Sequence, residues 1–305
     1  MLRFKYMTKK LVAVVAAFLM AFLGMASYMT ADAFYEDVGY WVYNYQTKES
    51  KKYGLSDSLP IFDANSATAR SGLIDDRVPD TEVSVVQLAS VGGTGFIVDN
   101  HIIATAAHCV YNRSSVAFVS DMRVDIYNEN CTSILKTVYP KEAHIPMKYK
   151  STGNEIYDYA LLYVEEDLSE YGVFSLGVPM DSFMTSGATV TVSGFPQSTA
   201  SDPGANCTKR YKADGQIVDM DDSIDKKNHR IQYTTFASGG DSGGPVYTTQ
   251  TFNGHTYNTV IGINTTATYY DKECTIPATY RFGTRVTSTL LAFYYNNEKI
   301  GSTVL

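Results

Sequence analysis

Gly239-Gly240-Asp241-Ser242-Gly243-Gly244-Pro245 is the stretch of this chain from which both a fold and a chemistry can be read. It sets one hydroxyl, Ser242, in a bend whose neighbours are mostly glycine. Glycine accepts positive φ and leaves backbone N–H groups uncovered, as a site that binds a developing oxyanion with main-chain donors requires. A serine hydroxyl alone is a weak nucleophile, so this reading demands a base and a group that orients the base.

Five histidines are available: His101, His108, His144, His229 and His255. His108 has the suitable setting, Thr105-Ala106-Ala107-His108-Cys109. Small residues there follow the β-rich run from Phe96 to Ala104, so the imidazole emerges at a strand end. The carboxylate is Asp158, which opens the apolar run Tyr157-Asp158-Tyr159-Ala160-Leu161-Leu162 and gains the burial an orienting aspartate needs. Glu165, Glu166 and Asp167 follow that strand and read as solvated. The chain order is His108, Asp158, Ser242. The spacing Gly240-Asp241-Ser242-Gly243-Gly244 also occurs in nucleophile-elbow hydrolases, but those run Ser, Asp, His along the chain.

Taken in this order, Thr105–Cys109, Asp158–Leu162 and Gly240–Pro245 resemble the chymotrypsin-like serine proteases. The resemblance covers roughly Ser71 to Asn297. Asp75-Asp76-Arg77, Ser193-Gly194-Phe195-Pro196 and Gly283-Thr284-Arg285 are similar to the bacterial glutamyl endopeptidase branch. The resemblance implies an all-β chain of two six-stranded antiparallel β-barrels, about 71–170 and about 186–286, with a C-terminal helix at about 287–297. It further implies a monomeric serine endopeptidase that acts on proteins or peptides through an acyl-enzyme and needs no cofactor. Ser242 is then the nucleophile, His108 the base and later the acid, and Asp158 the residue that holds the tautomer. The N–H groups of Gly240 and Ser242 form the oxyanion hole, and a bulky residue at Gly240 is expected to lower turnover far more than folding. Asp241, just before the nucleophile, implies a buried cationic partner. That partner is either the Ser71 amine freed by cleavage or an arginine such as Arg281 or Arg285.

The branch reads a substrate carboxylate with a histidine and a hydroxyl residue, and the matching positions here are Asn264 and Ala237. Neither compensates a desolvated carboxylate, so strict glutamate preference is not expected. Phe236 and Ala237 suggest an apolar floor, and Asn264 a partner for an amide or polar side chain. Thr265 and Ala267 are candidates for pairing with the substrate backbone as an added strand. The rival reading of the whole chain is a catalytically idle, protease-like binding or adhesion protein.

Composition agrees with a soluble globular chain: 45% of the 305 residues are hydrophobic and 19% charged. A net charge of −7 argues against a nucleic-acid surface. The acidic run Asp219–Asp225 lacks the glycine and distal glutamate of a calcium loop, so no metal is expected. Arg3, Lys5, Lys9 and Lys10 precede an apolar run from Leu11 to Met25, and Ala31-Asp32-Ala33 offers a cleavage site. Residues 1–33 therefore read as a signal peptide for a secreted, extracellular protein without stable membrane association after cleavage. The alternative is an uncleaved anchor, because weak apolarity continues to Met29. Residues 34–70 are rich in tyrosine, hold the only tryptophan, Trp41, and end in the small, polar stretch Ala64–Arg70. They read as a propeptide cut near Arg70–Ser71, leaving 71–305 as the protease domain, or as an extension that stays attached. Cys109, Cys131, Cys207 and Cys274 in an exported chain suggest two disulfides. Proximity favours Cys109–Cys131 and Cys207–Cys274, with buried free thiols as the alternative.

Strand-like runs are expected at Val83–Ala89, Gly95–Ala104, Ala117–Tyr127, Tyr157–Val164, Ala188–Gly194, Arg210–Val218, Arg230–Thr235, Gly244–Tyr247 and Thr256–Ile263. A tight turn is expected at Val98–His101. Periodicity alone does not separate a barrel from a sandwich. Thr287–Tyr294 predicts a helix packed on the second barrel, and Glu166–Gly187 the connection between barrels.

Overall fold

The computed structural model describes residues 39–53, 75–179, 187–219, 230–252, 255–267 and 281–298, with some side chains near their ends left out. The expected signal peptide, the stretch Ala64–Arg70, most of the acidic run and Cys274 lie outside them. The strands are β1 Tyr40–Asn44, β2 Glu49–Tyr53, β3 Val78–Pro79, β4 Val85–Leu88, β5 Gly93–Asp99, β6 Ile102–Thr105, β7 Tyr111–Asn112, β8 Ala117–Phe118, β9 Val124–Tyr127 and β10 Ile134–Val138. They continue as β11 Glu142–Pro146, β12 Ala160–Tyr163, β13 Ser175–Leu176, β14 Thr189–Gly194, β15 Tyr211–Asp219, β16 Arg230–Tyr233, β17 Pro245–Phe252, β18 His255–Ala267 and β19 Arg281–Arg285. Among the described residues three α-helices intervene: α1 Ala107–Val110, α2 Met147–Thr152 and α3 Ser288–Glu298.

The short β-branched runs pair where the sequence places them. β5 and β6 are joined at Asn100-His101, with Asp99 Oδ1 accepting from Asn100 N at 2.7 Å and a bulge between Ile97 and Asp99. Val85, Leu88, Phe96, Ile97 and Ile103 are fully buried, so both faces of this region are covered. The first sheet runs β10-β9-β4-β5-β6-β12-β11-β1-β2. The second closes on itself as a six-stranded antiparallel barrel, β14-β17-β18-β19-β16-β15 and back to β14. Val190, Val192, Ile217, Ile231, Tyr233, Val246 and Ile261 fill it. A larger apolar cluster fills the first sheet and runs into the seam through Phe195, Tyr247, Val260 and Ile263. The fold is thus the all-β, chymotrypsin-like architecture that the motifs imply.

Local propensity missed eight strands, the short β3, β7 and β13 and the longer β1, β2, β10, β11 and β19. β1 joins the edge of β11 with Trp41 opposite Ile145, and β2 hairpins back through an Asx turn in which Asn44 Oδ1 accepts from Gln46 N and Thr47 N. Pairing with β11, not local preference, makes this segment a strand. Its aromatics supply the adhesion. Tyr43 stacks on Phe118 with centroids 4.7 Å apart, Lys150 Nζ lies 3.6 Å above the Trp41 ring, and Tyr40 meets His144 and Phe293. β2, Glu49-Ser50-Lys51-Lys52-Tyr53, is exposed throughout and charged, which blunts the new edge.

Two expectations need correction. α3 begins where expected, with Thr287 Oγ1 accepting from Leu290 N at 3.2 Å. Its described aromatic rings, however, meet the first sheet rather than the second barrel. Phe293 meets Tyr159 and Tyr40 edge-on, and Tyr294 donates to Val98 O. These rings need apolar partners, and the tyrosines at the end of the first sheet supply them. The Cys109–Cys131 bridge is also absent, both being free thiols. Cys131 Sγ sits in the β9–β10 turn and accepts from Arg210 N, whereas Cys109 Sγ donates toward Ser242 O. Proximity in sequence did not become proximity of sulfurs. Cys207 is free as well, and burial pushes its thiol pKa up.

Tyr43→Ala removes a buried ring that stacks on one aromatic and meets another edge-on, and is expected to lower stability by about 3 kcal/mol. Chemical denaturation of the full chain measures this; an unchanged midpoint would show that the hairpin contributes nothing to the fold.

Candidate active site

β6 delivers the chain to Ala106, which is extended (φ −81°, ψ 145°), and α1 then makes one turn. Ala107, Cys109 and Val110 point inward on that turn, leaving His108 with a side chain 35% exposed. Asp158 follows a short 3₁₀ turn, Glu155–Tyr157, capped by Asn154 Oδ1, which accepts from Ile156 N at 3.1 Å. Its carboxylate holds His108 at two points. Oδ1 accepts from the His108 backbone N at 2.9 Å, and Oδ2 lies 2.7 Å from Nδ1. Placing the ring proton on Nδ1 leaves Nε2 as the acceptor in the neutral imidazole. Burial works against the imidazolium, but Cys109 and the Asp158 carboxylate outweigh it and raise the His108 pKa well above the ordinary imidazole range. His144 also meets a carboxylate, Glu142 Oε2 at 2.9 Å, but its ring is buried under Tyr40 and cannot meet a substrate.

The loop carrying Ser242 is bound to the strands that carry His108. Thr94 on β5 donates its N–H to Ser242 O at 2.9 Å and its hydroxyl to Gly240 O at 2.7 Å. Thr105, three residues before His108, donates its hydroxyl to Thr94 O at 2.7 Å. The approach needs glycine: at Gly243 (φ +86°) a Cβ would strike Thr105 Oγ1 and Thr94 O and lie 3.0 Å from Ala106 N. Within the loop, the N–H groups of Asp241, Gly243 and Gly244 are taken by Ser238 O, Asn264 O and Asp241 O. Those of Gly240 and Ser242 donate to no acceptor among the described residues. Gly240 has φ +99°, and a Cβ there would strike Phe195 O and come within 2.9 Å of Cys207 Sγ. A bulky residue at Gly240 therefore disturbs folding as well as any chemistry, contrary to the sequence expectation.

Asp241 points away from Ser242 into the protein, where it meets Arg77. Arg77 Nη1 lies 2.8 Å from Asp241 Oδ2, and both side chains are 3% exposed. Burial raises the Asp241 pKa to about 6 against the opposing pull of Arg77, the Ser238 N–H and Arg281. The partner is an arginine, as one sequence alternative had it, but neither Arg281 nor Arg285 supplies this bond. In the sequence Arg77 stands out only as part of the Asp-Asp-Arg motif, because a pairing across 164 residues leaves no local signature. Thr94 was invisible for the same reason.

Of the expected substrate-binding residues, Ala237 is buried and its carbonyl accepts from Arg281 Nε at 2.6 Å. Asn264 is buried with both amide ends engaged, its Oδ1 accepting from Tyr233 OH at 2.7 Å and its Nδ2 donating to Asp241 O at 2.9 Å. Thr265 falls at a bulge of β18 against β19, and Ala267 pairs with Arg281. Phe236 lies between two guanidinium groups, Arg77 at 4.8 Å and Arg281 at 5.0 Å from its ring centroid. None of these residues lines the cavity of about 1240 Å³ that opens elsewhere, between Asp80, Glu129, Glu170 and Lys212. Among the described residues, no group of three histidine, cysteine or acidic side chains is placed to hold a metal.

Gly243→Ala must hold a left-handed backbone and push Thr105 and Thr94 away. It is expected to cost at least about 1–2 kcal/mol from the backbone alone. Thermal and urea unfolding measure this, and a neutral result would refute the close approach of loop and sheet.

The sequence pattern of the trypsin family matches residues 77–292, more than half of the chain. A glutamyl endopeptidase from Bacillus licheniformis is 28% identical over 182 residues, which make up 57% of this chain and 53% of that protein. This chain therefore spans about half the length of the curated relative it matches. A solved structure described as Glu endopeptidase in complex with MPD superposes with a TM-score of 0.57 at 19% identity, covering 75% of this chain and 97% of that one. The chain belongs to the trypsin family, whose fold is that of the chymotrypsin-like serine proteases, and it is similar to the glutamyl endopeptidases.

Proposed function

We propose that this chain is a secreted serine endopeptidase that cleaves proteins or peptides through a Ser242 acyl-enzyme. The observation that carries the reading is the two-point hold of Asp158 on His108, beside a glycine loop that presents Ser242. His108 Nε2 takes the Ser242 proton as Oγ attacks the scissile carbonyl, and the imidazolium then donates that proton to the leaving amine. Asp158 stabilises the imidazolium without taking its proton. The N–H groups of Gly240 and Ser242 receive the oxyanion. Water, deprotonated by His108, then releases the acyl group. Phe236 and Ala237 form an apolar pocket floor, Asn264 braces its wall, and Thr265 and Ala267 pair with the substrate backbone. This arrangement disfavours a strict requirement for glutamate before the cleaved bond.

The chain is read as a precursor with a signal peptide at 1–33, a propeptide at 34–70 and the protease domain at 71–305. A cut near Arg70–Ser71 would leave β1 and β2 paired with β11. Among the described residues, no helix is long and apolar enough to cross a membrane.

A fluorophosphonate reagent should label the protein at Ser242, with labelling abolished in Ser242→Ala; a folded protein that resists labelling would favour the idle, binding-protein reading. Digestion of a diverse peptide library should give cleavage after apolar or amide residues, whereas cleavage predominantly after glutamate would overturn the pocket assignment. His108 must be neutral to act as base and its pKa is raised. The acid limb of kcat/KM should therefore lie above the ordinary imidazole value of about 6.5, with activity growing as pH rises through the limb. Asp158→Asn removes a group that favours the imidazolium, so it should move that limb to lower pH and reduce kcat roughly 10⁴-fold.

A further inference from the structure

We infer that Arg77 is a positioning residue that orders the oxyanion loop through Asp241, so that the loop is assembled in the uncut chain without a newly freed N-terminus. The inference rests on the reading of Ser242 as the nucleophile and adds to it how that nucleophile's loop is held.

The guanidinium has every N–H direction occupied. Nε and Nη2 grip the two Asp75 oxygens at 2.8 and 2.9 Å, a planar two-bond pairing that sets the plane of the group. Nη2 also donates to Ser198 O at 2.7 Å. Nη1 donates to Ser238 Oγ at 2.9 Å and to Asp241 Oδ2 at 2.8 Å. The cation lies 4.8 Å from the centroid of the Phe236 ring. Asp75 is itself fixed, since its Oδ2 accepts from Ala200 N at 2.7 Å. One side chain thus joins the start of the protease domain, the Ser198–Ala200 segment and the Phe236–Asp241 loop.

The geometry at Asp241 shows why this matters for chemistry. Its carboxylate turns inward between Gly240 and Ser242, the two residues whose N–H groups have no acceptor among the described residues. Oδ2 accepts from Arg77 and from Ser238 N at 2.8 Å, closing a tight turn within the loop. Oδ1 is buried without a partner among the described residues, pressed against Gly194, where a Cβ would lie 2.6 Å from it. A buried carboxylate at this place needs a cation to remain ionised and inward. Arg77 supplies it from within the chain, carried by a side chain that exists before and after any cleavage upstream. Proteolysis near Arg70–Ser71 then creates an amine that this ion pair does not require. Without the cation, Asp241 has reason to turn toward water, and the N–H groups on either side of it would turn with it.

The test replaces residues 66–70 of the full chain by a five-residue sequence cut on its C-terminal side by an added protease, so that cutting leaves Ser71 as the N-terminus. The fluorophosphonate labelling rate is measured before and after cutting, with intactness checked by mass spectrometry. Uncut and cut forms should label within about threefold of each other. Labelling that appears only on cutting overturns the inference while leaving Ser242 as the nucleophile; failure of both folded forms to label removes the proposed function and the inference with it. Arg77→Met should lower kcat about 100-fold, as for loss of an oxyanion donor, with KM changed much less. Arg77→Lys should recover part of this, because it restores the charge on Asp241 without the two-bond grip on Asp75. Asp241→Asn should match Arg77→Met, and the double variant should be no worse than either single one, as for residues acting as a unit. Additive losses, or an Arg77→Met protein with normal kcat, would assign Arg77 a purely structural part and refute the inference. If Arg77→Met does not fold, the uncut and cut comparison decides alone.

Discussion

Two hydrogen bonds from Thr94, its N–H to Ser242 O and its hydroxyl to Gly240 O, hold the loop of one β-sheet on a strand of the other. Almost everything at the site depends on this contact. Thr105 orients Thr94 from the neighbouring strand, and Phe195 N donates to the same Thr94 hydroxyl. One buried threonine therefore sets the distance between the strand pair that leads to His108 and the loop that carries Ser242. Only glycine lets the chain come so close at position 243. The glycines of the heptapeptide thus have two separate duties: Gly240 shapes a loop in which two N–H groups donate to no acceptor among the described residues, and Gly243 admits the opposite sheet.

Two ion pairs of different character then orient the site. Asp158 is buried and faces His108, a ring still partly open to water, so the pair can change protonation during a reaction. Arg77 and Asp241 are both sealed from water, and their pair holds structure. Because a desolvated carboxylate is unfavourable without its cation, the second pair fixes the backbone segment that carries Ser242. Arg281 adds a further buried cation beneath the same loop, with its Nε on Ala237 O and its plane over Phe236.

The strands β1 and β2 precede the region matched by the family pattern. Their aromatic side chains reach the site indirectly, since Tyr40 meets Phe293, Phe293 meets Tyr159, and Tyr159 adjoins Asp158. This chain of rings also explains why the aromatic rings of α3 meet the first sheet.

Much of this was legible in the residues. Local motifs determined the three candidate catalytic residues, the all-β class, the β5–β6 turn and the start of α3, because each rests on neighbours in sequence: glycine spacing, alternation, a capping hydroxyl. What local patterns could not contain was decided by tertiary structure. The strand character of Tyr40–Tyr53 comes from an edge supplied a hundred residues away. The Asp241 partner, the free state of Cys109 and Cys131, and the role of Thr94 likewise depend on which distant segments the two sheets bring within hydrogen-bond reach. The sequence by itself determined which groups could do chemistry here. Only the folded chain decided what holds them in place, because directional bonds between segments far apart in sequence exist only once both sheets have closed around a shared core.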